Sequence, residues 1–504
     1  MLEPGEATMD RFARPHHRWS GAVHDPSGAA LERSDPSTGE PCGEVAVGTA
    51  EEVRCAVAAA RAATATWART TAEDRAAALR RAADRLEERR DVVAHWNHVE
   101  MGRPVPSALE GVDAAVATIR QFAELGPLHR GRALQGDPAA VDQMRRVPRG
   151  VAACITPWND PVAIAAQGVA ANLAVGNCVV CKPSERASFS VACTMECFDH
   201  LPPGVLGVVF GDATTGRHLV DADVDVVVFT GSVSAGRSIR SACADRMVHT
   251  VLELGGNDPL VIDEDVDPMW AARQVALGCF ANSGQICVAV ERIYCHRCVA
   301  PQVLDEVARI AGGLRADVPS DDGIRLGPLV DRDHRTTVHQ QVTAAVDAGA
   351  TLLAGGTIPD GPGAFYPATV LCDVPEGAAL LDDETFGPVA PFVVVDSFDE
   401  AIDRAASGAH GLAATVLTGD LGRALGAHAA LPVGTVKVNS VFGGAPGGAA
   451  HPHGVSGDAA GYGPELLDEL TRIRALHIEP MPASDRTVPP EPEPVAGRRT
   501  GVIG

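Results

Sequence analysis

Between residues 150 and 254 the chain alternates short β-branched runs with helical stretches: GVAACI, NCVVCK, VLGVVF, DVDVVVFT and HTVLEL. Runs this short and this apolar are strands buried on both faces, and helices between them make the sheet parallel, with right-handed crossovers covering each side. Ligands of such sheets bind beyond the carboxyl ends of the strands. Four ends carry turn chemistry: TPWNDP follows GVAACI, KPSE follows NCVVC, GSVSAG follows VVVFT, and LGGND follows TVLE. All four are expected to open onto one crevice. Upstream, Thr49-Ala-Glu-Glu52 has the form of a capping box and starts a predicted helix to Trp67; a second is predicted from about Thr71 to Val93. Downstream, a second α/β region is expected from about residue 255.

With 504 residues, the chain is expected to form two or three domains. Its formal net charge of −23, without a basic block, excludes nucleic acid and anionic lipid as partners. The most apolar stretch, 161–181, is interrupted by Gln167, Asn172, Gly176 and Asn177, so it predicts a buried helix running into a buried strand and no membrane span. The amino terminus does not read as a secretory signal. Thirteen scattered cysteines point to reduced thiols in the cytoplasm. The pairs Cys178/Cys181 and Cys295/Cys298 are read as buried thiols, and no metal site is expected. The proline-rich tail, 482–504, is expected to be disordered or draped over the surface.

Lysine occurs only at 182 and 437 among 42 Lys and Arg residues, which makes each a candidate for a place the rigid arginine fork does not fit. Lys182 and Glu185 in KPSE can donate to and accept from a ribose diol, or form a surface ion pair. Gly231 and Gly236 flank a turn able to present N–H groups to a pyrophosphate, or merely a helix start. Cys287, after NSGQ, is a candidate nucleophile if a helix begins there and its dipole favours the thiolate; the alternative is a small buried hydrophobe. Glu253 ends an apolar strand, where burial would raise its pKa and suit a general base. Asn159 can donate its amide to an oxyanion or shape the turn.

From about residue 33 to 480 the chain resembles the aldehyde dehydrogenase superfamily, through SDPSTGE, TPWNDP, KPSE, FTGSVSAG, LELGGND, GQICVAVER, DDETFGPV and VKVNS in the family's order. The resemblance implies an α/β fold: a Rossmann-like NAD-binding domain (1–127 and 149–254), an α/β catalytic domain (255–459), and a small β oligomerisation arm (128–148 and 466–481) pairing subunits into a homodimer or homotetramer. It implies Cys287 as nucleophile, Glu253 as general base and Asn159 in the oxyanion hole. The cofactor residues implied are Thr156, Trp158, Lys182, Ser184, Glu185, Gly211, Gly231, Ser232, Gly236, Leu254, Glu384 and Phe386. NAD is expected in preference to NADP, because Glu185 would repel a 2′-phosphate. The implied reaction is oxidation of an aldehyde to a carboxylic acid through a thiohemiacetal and a thioester. The sequence departs from the family pattern in HPHGVSGDAAGYGPELL, where Asp458 stands near a usual lysine. Asp160 and Gln167 replace frequent aromatics, and with His453 they predict a polar substrate pocket. The altered loop keeps open a cofactor-binding member without turnover; a thiol acyl-transferring or coenzyme A acylating enzyme is a further alternative.

Overall fold

The computed structural model describes residues 13–316, 323–444 and 450–480. The tail expectation for 482–504 therefore lies outside the described residues. Among those described, no helix is long and apolar enough to cross a membrane.

Thr49 caps the helix Ala50–Trp67 as its sequence dictates: the Thr49 hydroxyl accepts from the Glu52 N–H, and the Glu52 carboxylate accepts from the Thr49 N–H at 2.7 Å. The second predicted helix is two: Ala72–Glu88 and Arg90–Met101, parted at Arg89 (φ −102°, ψ 11°). The break re-aims the second segment so that Trp96 packs edge-on against Phe189, ring centroids 5.1 Å apart. Helix propensity alone carries no trace of such a turn.

The β-branched runs form a seven-stranded sheet in the order His249–Leu254, Val226–Gly231, Val151–Ile155, Cys178–Lys182, Leu206–Val208, His17–Trp19, Ala22–His24. The strands from 151 to 254 are mutually parallel, and the two amino-terminal strands close the edge antiparallel. From Val151–Ile155 the chain builds outward through Cys178–Lys182 to Leu206–Val208. It then returns to place Val226–Gly231 on the other side, so the order reverses beside Val151–Ile155. The apolar stretch is the helix Pro161–Val175, buried except at Ile164, and the wholly buried strand Cys178–Lys182, as predicted. Phe122, Leu173, Phe189 and Phe210 fill this core.

A second seven-stranded sheet follows: Thr351–Ala354, Thr369–Cys372, Val389–Val395, Val290–His296, Asp258–Ile262, Ala413–Leu417, Thr435–Val438. Its pairs are parallel except the first. Phe280 and Phe392 lie in its core. Both large sheets belong to one compact unit, which takes in the described residues from 13 to 129 and from 147 to 472. The second unit, 130–146 with 473–480 of the described residues, holds most of a three-stranded sheet in the order Thr471–Ile478, Val141–Pro148, Arg132–Leu134.

Candidate active site

The reversal of strand order opens a crevice at the carboxyl ends of the first sheet. Thr156, Lys182, Gly231 and Leu254 lie at the ends of four adjacent strands, and Gly211 follows the fifth. Ser232 caps the helix Val233–Ala244, its hydroxyl accepting from the Ala235 N–H, which leaves that helix start directed at the crevice. Gly236, in its first turn, packs on Leu254. Lys182 is only 4 % exposed, and among the described residues its one ionic partner is Glu185, at 3.6 Å. Burial lowers its basicity; Glu185 and Asp212 oppose that. Two hydrogens of a buried ammonium are thus left for a ligand, which suits a ribose diol. Ser184 is buried and accepts from the Arg186 N–H.

Across the crevice, Trp158 meets Phe386 edge-on at 5.3 Å and His334 at 5.7 Å, with the Arg186 guanidinium 5.8 Å from its ring. The loop bearing Glu384 and Phe386 is held by the buried carboxylate of Glu291, which accepts from the Thr385 and Phe386 N–H groups and the Asn257 amide. Glu384 accepts from the Gly256 N–H at 3.1 Å. A Cβ on Gly255 would lie 2.1 Å from Glu384, so no side chain fits there. Burial, reinforced by Glu291, holds the Glu384 carboxyl well above the usual range. Sequence reasoning missed Glu291; a carboxylate inside the apolar run VAVERIY was the available signal.

Cys287 does not begin a helix. It sits in a turn between the 3₁₀ segment Ala281–Gly284 and the strand Val290–His296, so no helix dipole supports its thiolate. Burial pushes the thiol up to about 12, with Asp258, Glu253, Glu384 and Asp160 adding to the shift in that order. Three successive left-handed residues, Asn282 (φ 48°), Ser283 (φ 56°) and Gly284 (φ 73°), aim the turn. The Gln285 carbonyl accepts from the side-chain amides of Asn159 (3.2 Å) and Asn282 (3.3 Å), and the Gln285 side chain accepts from the Val330 N–H. One amide hydrogen of buried Asn159 remains for an incoming oxygen.

Glu253 borders a cavity of about 20 Å³ with Thr156, Gly168 and Gln167, room for one water. Its Oε1 is buried without a hydrogen-bond partner, and burial, followed by the charge of Asp458, pushes its carboxyl up to about 8. Asp458, near the usual lysine position, is paired with Arg240.

Cys287 and Asn159 line a second, larger cavity of about 540 Å³ together with Asp160, Arg103, Arg325, Phe442 and Tyr462. Of the three residues expected to make the substrate pocket polar, Asp160 is there. Gln167 lies instead at the Glu253 cavity, donating to the Gly461 carbonyl. His453 is exposed, because its short strand pairs with His410–Gly411 and turns it outward. Cys298 is likewise exposed, against the expectation of a buried thiol. Arg103 and Tyr462 were missed: one is remote in sequence and the other sits in the altered loop. The second lysine is also accounted for. Lys437 is mostly buried, donates to the Val441 carbonyl at 2.7 Å, and its charge couples to Asp258 and Cys287.

The profile of the aldehyde dehydrogenase family matches residues 23–476. Benzaldehyde dehydrogenase [NAD(+)] of Pseudomonas putida is 35% identical over 486 residues, 92% of this chain and 98% of that protein. Succinate-semialdehyde dehydrogenase [NADP(+)] of Escherichia coli (strain K12) is 32% identical over 421 residues, 82% and 87% of the two chains. Among solved structures, the NAD+ complex of aldehyde dehydrogenase from Bacillus cereus superposes with a TM-score of 0.91 at 29% identity, covering 95% of this chain and 99% of that one. The two named relatives differ in nucleotide, so kinship specifies a nicotinamide cofactor without choosing between NAD and NADP. The chain belongs to the aldehyde dehydrogenase family, whose members oxidise aldehydes to carboxylic acids with such a cofactor.

Proposed function

We propose that this chain oxidises a polar aldehyde with NAD, using Cys287 as nucleophile, Asn159 as oxyanion donor and Glu253 as the base for hydrolysis. The observation that carries the reading is Cys287 and Asn159 on one cavity, with the unpartnered Glu253 carboxyl close enough for its charge to act on the thiol. The Cys287 thiol gives up its proton to solvent through the cavity, and its sulfur adds to the carbonyl carbon. The resulting oxyanion is received by the free amide hydrogen of Asn159 and the backbone N–H of Cys287. When bound, the nicotinamide supplies the acceptor for the two electrons and hydrogen that leave this carbon. The thioester left on Cys287 is cut by a water from which Glu253 takes a proton, releasing the acid and restoring the sulfur.

For the cofactor, Lys182 and Glu185 would hold one ribose and Glu384 the other, with the Ser232 helix start at the phosphates and Thr156, Trp158, Ser184, Gly211, Leu254 and Phe386 around them. Glu185 beside Lys182 supports NAD over NADP, since a 2′-phosphate would face a carboxylate. A water-sized cavity at Glu253 supports hydrolysis over transfer to coenzyme A. We assign the first sheet to the cofactor domain (1–127 and 149–254), the second to the catalytic domain (255–459), and the small sheet to an arm that pairs subunits. Exposed Leu134, Val141, Ile473 and Ile478 on the small sheet support a homodimer or homotetramer. All thirteen cysteines are free, which supports a reducing compartment such as the cytoplasm.

The test is NADH absorbance on mixing the protein with NAD and an aldehyde panel. Cys287→Ser is expected to abolish NADH formation, and Glu253→Gln to give a single burst and then stall at the thioester. Full steady turnover in Cys287→Ser would refute the assignment.

A further inference from the structure

The cavity beside Cys287 is unusual for a site that would take a hydrocarbon chain, because its walls carry groups that want hydrogen bonds. Asp160 directly follows Asn159 and lines the same cavity as Cys287. Its Oδ1 accepts from an Arg103 terminal nitrogen at 2.6 Å, while among the described residues nothing engages its second oxygen, and the side chain is 33% exposed. Arg103 spends one N–H on this contact, and its Nε has no partner. Tyr462 lines the same cavity. Its backbone carbonyl takes the Gln121 amide, and its hydroxyl has no partner among the described residues. Burial, with Asp160, Cys287 and Glu253 nearby, keeps that phenol protonated and hence a donor.

The formal charges on the wall cancel: Arg103 and Arg325 against Asp160 and Glu110. An anionic substrate would face Asp160 and Glu110; a cationic one would face two guanidiniums. A plain alkyl chain would leave the free Asp160 oxygen and the phenol desolvated and unpaired. A hydroxyl both donates and accepts, so it satisfies a carboxylate oxygen, a guanidinium N–H and a phenol together. The volume of about 540 Å³ accommodates a chain of several such carbons.

We propose that the substrate is a neutral aldehyde with hydroxyl groups on the carbons beside its carbonyl, gripped by Asp160 with Arg103 and by the hydroxyl of Tyr462. The proposal rests on Cys287 being the nucleophile of this cavity. It is tested by kcat/KM with NAD for matched pairs, glyceraldehyde against propanal and erythrose against butanal, with succinic semialdehyde and aminobutanal as charged members. Each hydroxylated aldehyde is expected to exceed its deoxygenated partner by at least about tenfold and to exceed both charged aldehydes. In Tyr462→Phe, which removes only the hydroxyl, and in Asp160→Leu, the hydroxylated-to-plain ratio is expected to fall by about tenfold. Should Asp160→Leu fail to fold, the isosteric tyrosine variant decides alone. NADH formed without preference for hydroxylated members, or a ratio unmoved by Tyr462→Phe, overturns this assignment and leaves the dehydrogenase reading standing. NADH from no member of the panel overturns both.

Discussion

Asn159 shares its acceptor. The Gln285 carbonyl takes a hydrogen bond from Asn159 and another from Asn282, so deleting the first leaves the second to hold the turn that presents Cys287. Structure and chemistry are therefore separable at this residue. Asn159→Ala is expected to lower kcat by about a hundredfold or more, the usual cost of one lost oxyanion donor, while unfolding stability changes by about 1 kcal/mol or less. Paired kinetics and melts check it; a large loss of stability with modest loss of rate would make Asn159 a shaper of the turn. Single residues were legible in proportion to their rarity. Lysine is so scarce here that Lys182 and Lys437 stood out, and the structure buries the first and half-buries the second, each beside charged groups. Tyr462 did not stand out, because its meaning comes from Asp160 and Cys287, which are distant in the chain.

At the level of the element, the turn Asn282–Ser283–Gly284 contributes more to the site than any regular helix or strand does. Its left-handed Asn282 and Ser283 store strain that the Gln285 side chain and the Ser283 hydroxyl, bonded to the Gly327 carbonyl, hold in place, while Gly284 takes its left-handed φ without cost. A Cβ on Gly284 would approach the Gly387 carbonyl oxygen to 2.1 Å, next to Phe386 in the loop across the crevice. Gly284→Ala therefore has to move either the nucleophile turn or that loop. We expect a loss of at least about 2 kcal/mol in stability together with weaker NAD binding, read by melting and nucleotide titration. A variant melting like the parent with unchanged affinity would show that the two loops are not locked together. The strands were legible because burial on both faces demands uninterrupted β-branched runs, and the Thr49 helix because its cap is local. The break at Arg89 and the turn before Cys287 were not, since packing and strain impose them against local propensity.

Across the whole molecule, acidity is distributed in two populations. Carboxylates outnumber Lys and Arg by 65 to 42, a formal net charge of −23. A few are buried near the site, and burial raises them: Glu253 from 4.5 to about 8 and Asp258 from 3.8 to about 8. For each of these the folded chain binds its proton more tightly than the unfolded chain. The stability they contribute is thus fully present below the unfolded value, about 4 to 4.5, and is lost as pH rises through about 8. Surface repulsion acts in the same direction as the net charge grows, but salt screens exposed charges within a Debye length and reaches buried ones far less. The melting temperature is accordingly expected to fall between about pH 5 and 9, with much of the slope persisting in roughly molar salt. Glu253→Gln, which is neutral at every pH, should flatten that residual slope without needing the catalytic cycle for its readout. A slope that vanishes in salt, or one that Glu253→Gln leaves unchanged, would mean that Glu253 is ionised in the resting fold. In that event the base for thioester hydrolysis would be ready at neutral pH, and turnover would show no rise toward pH 8.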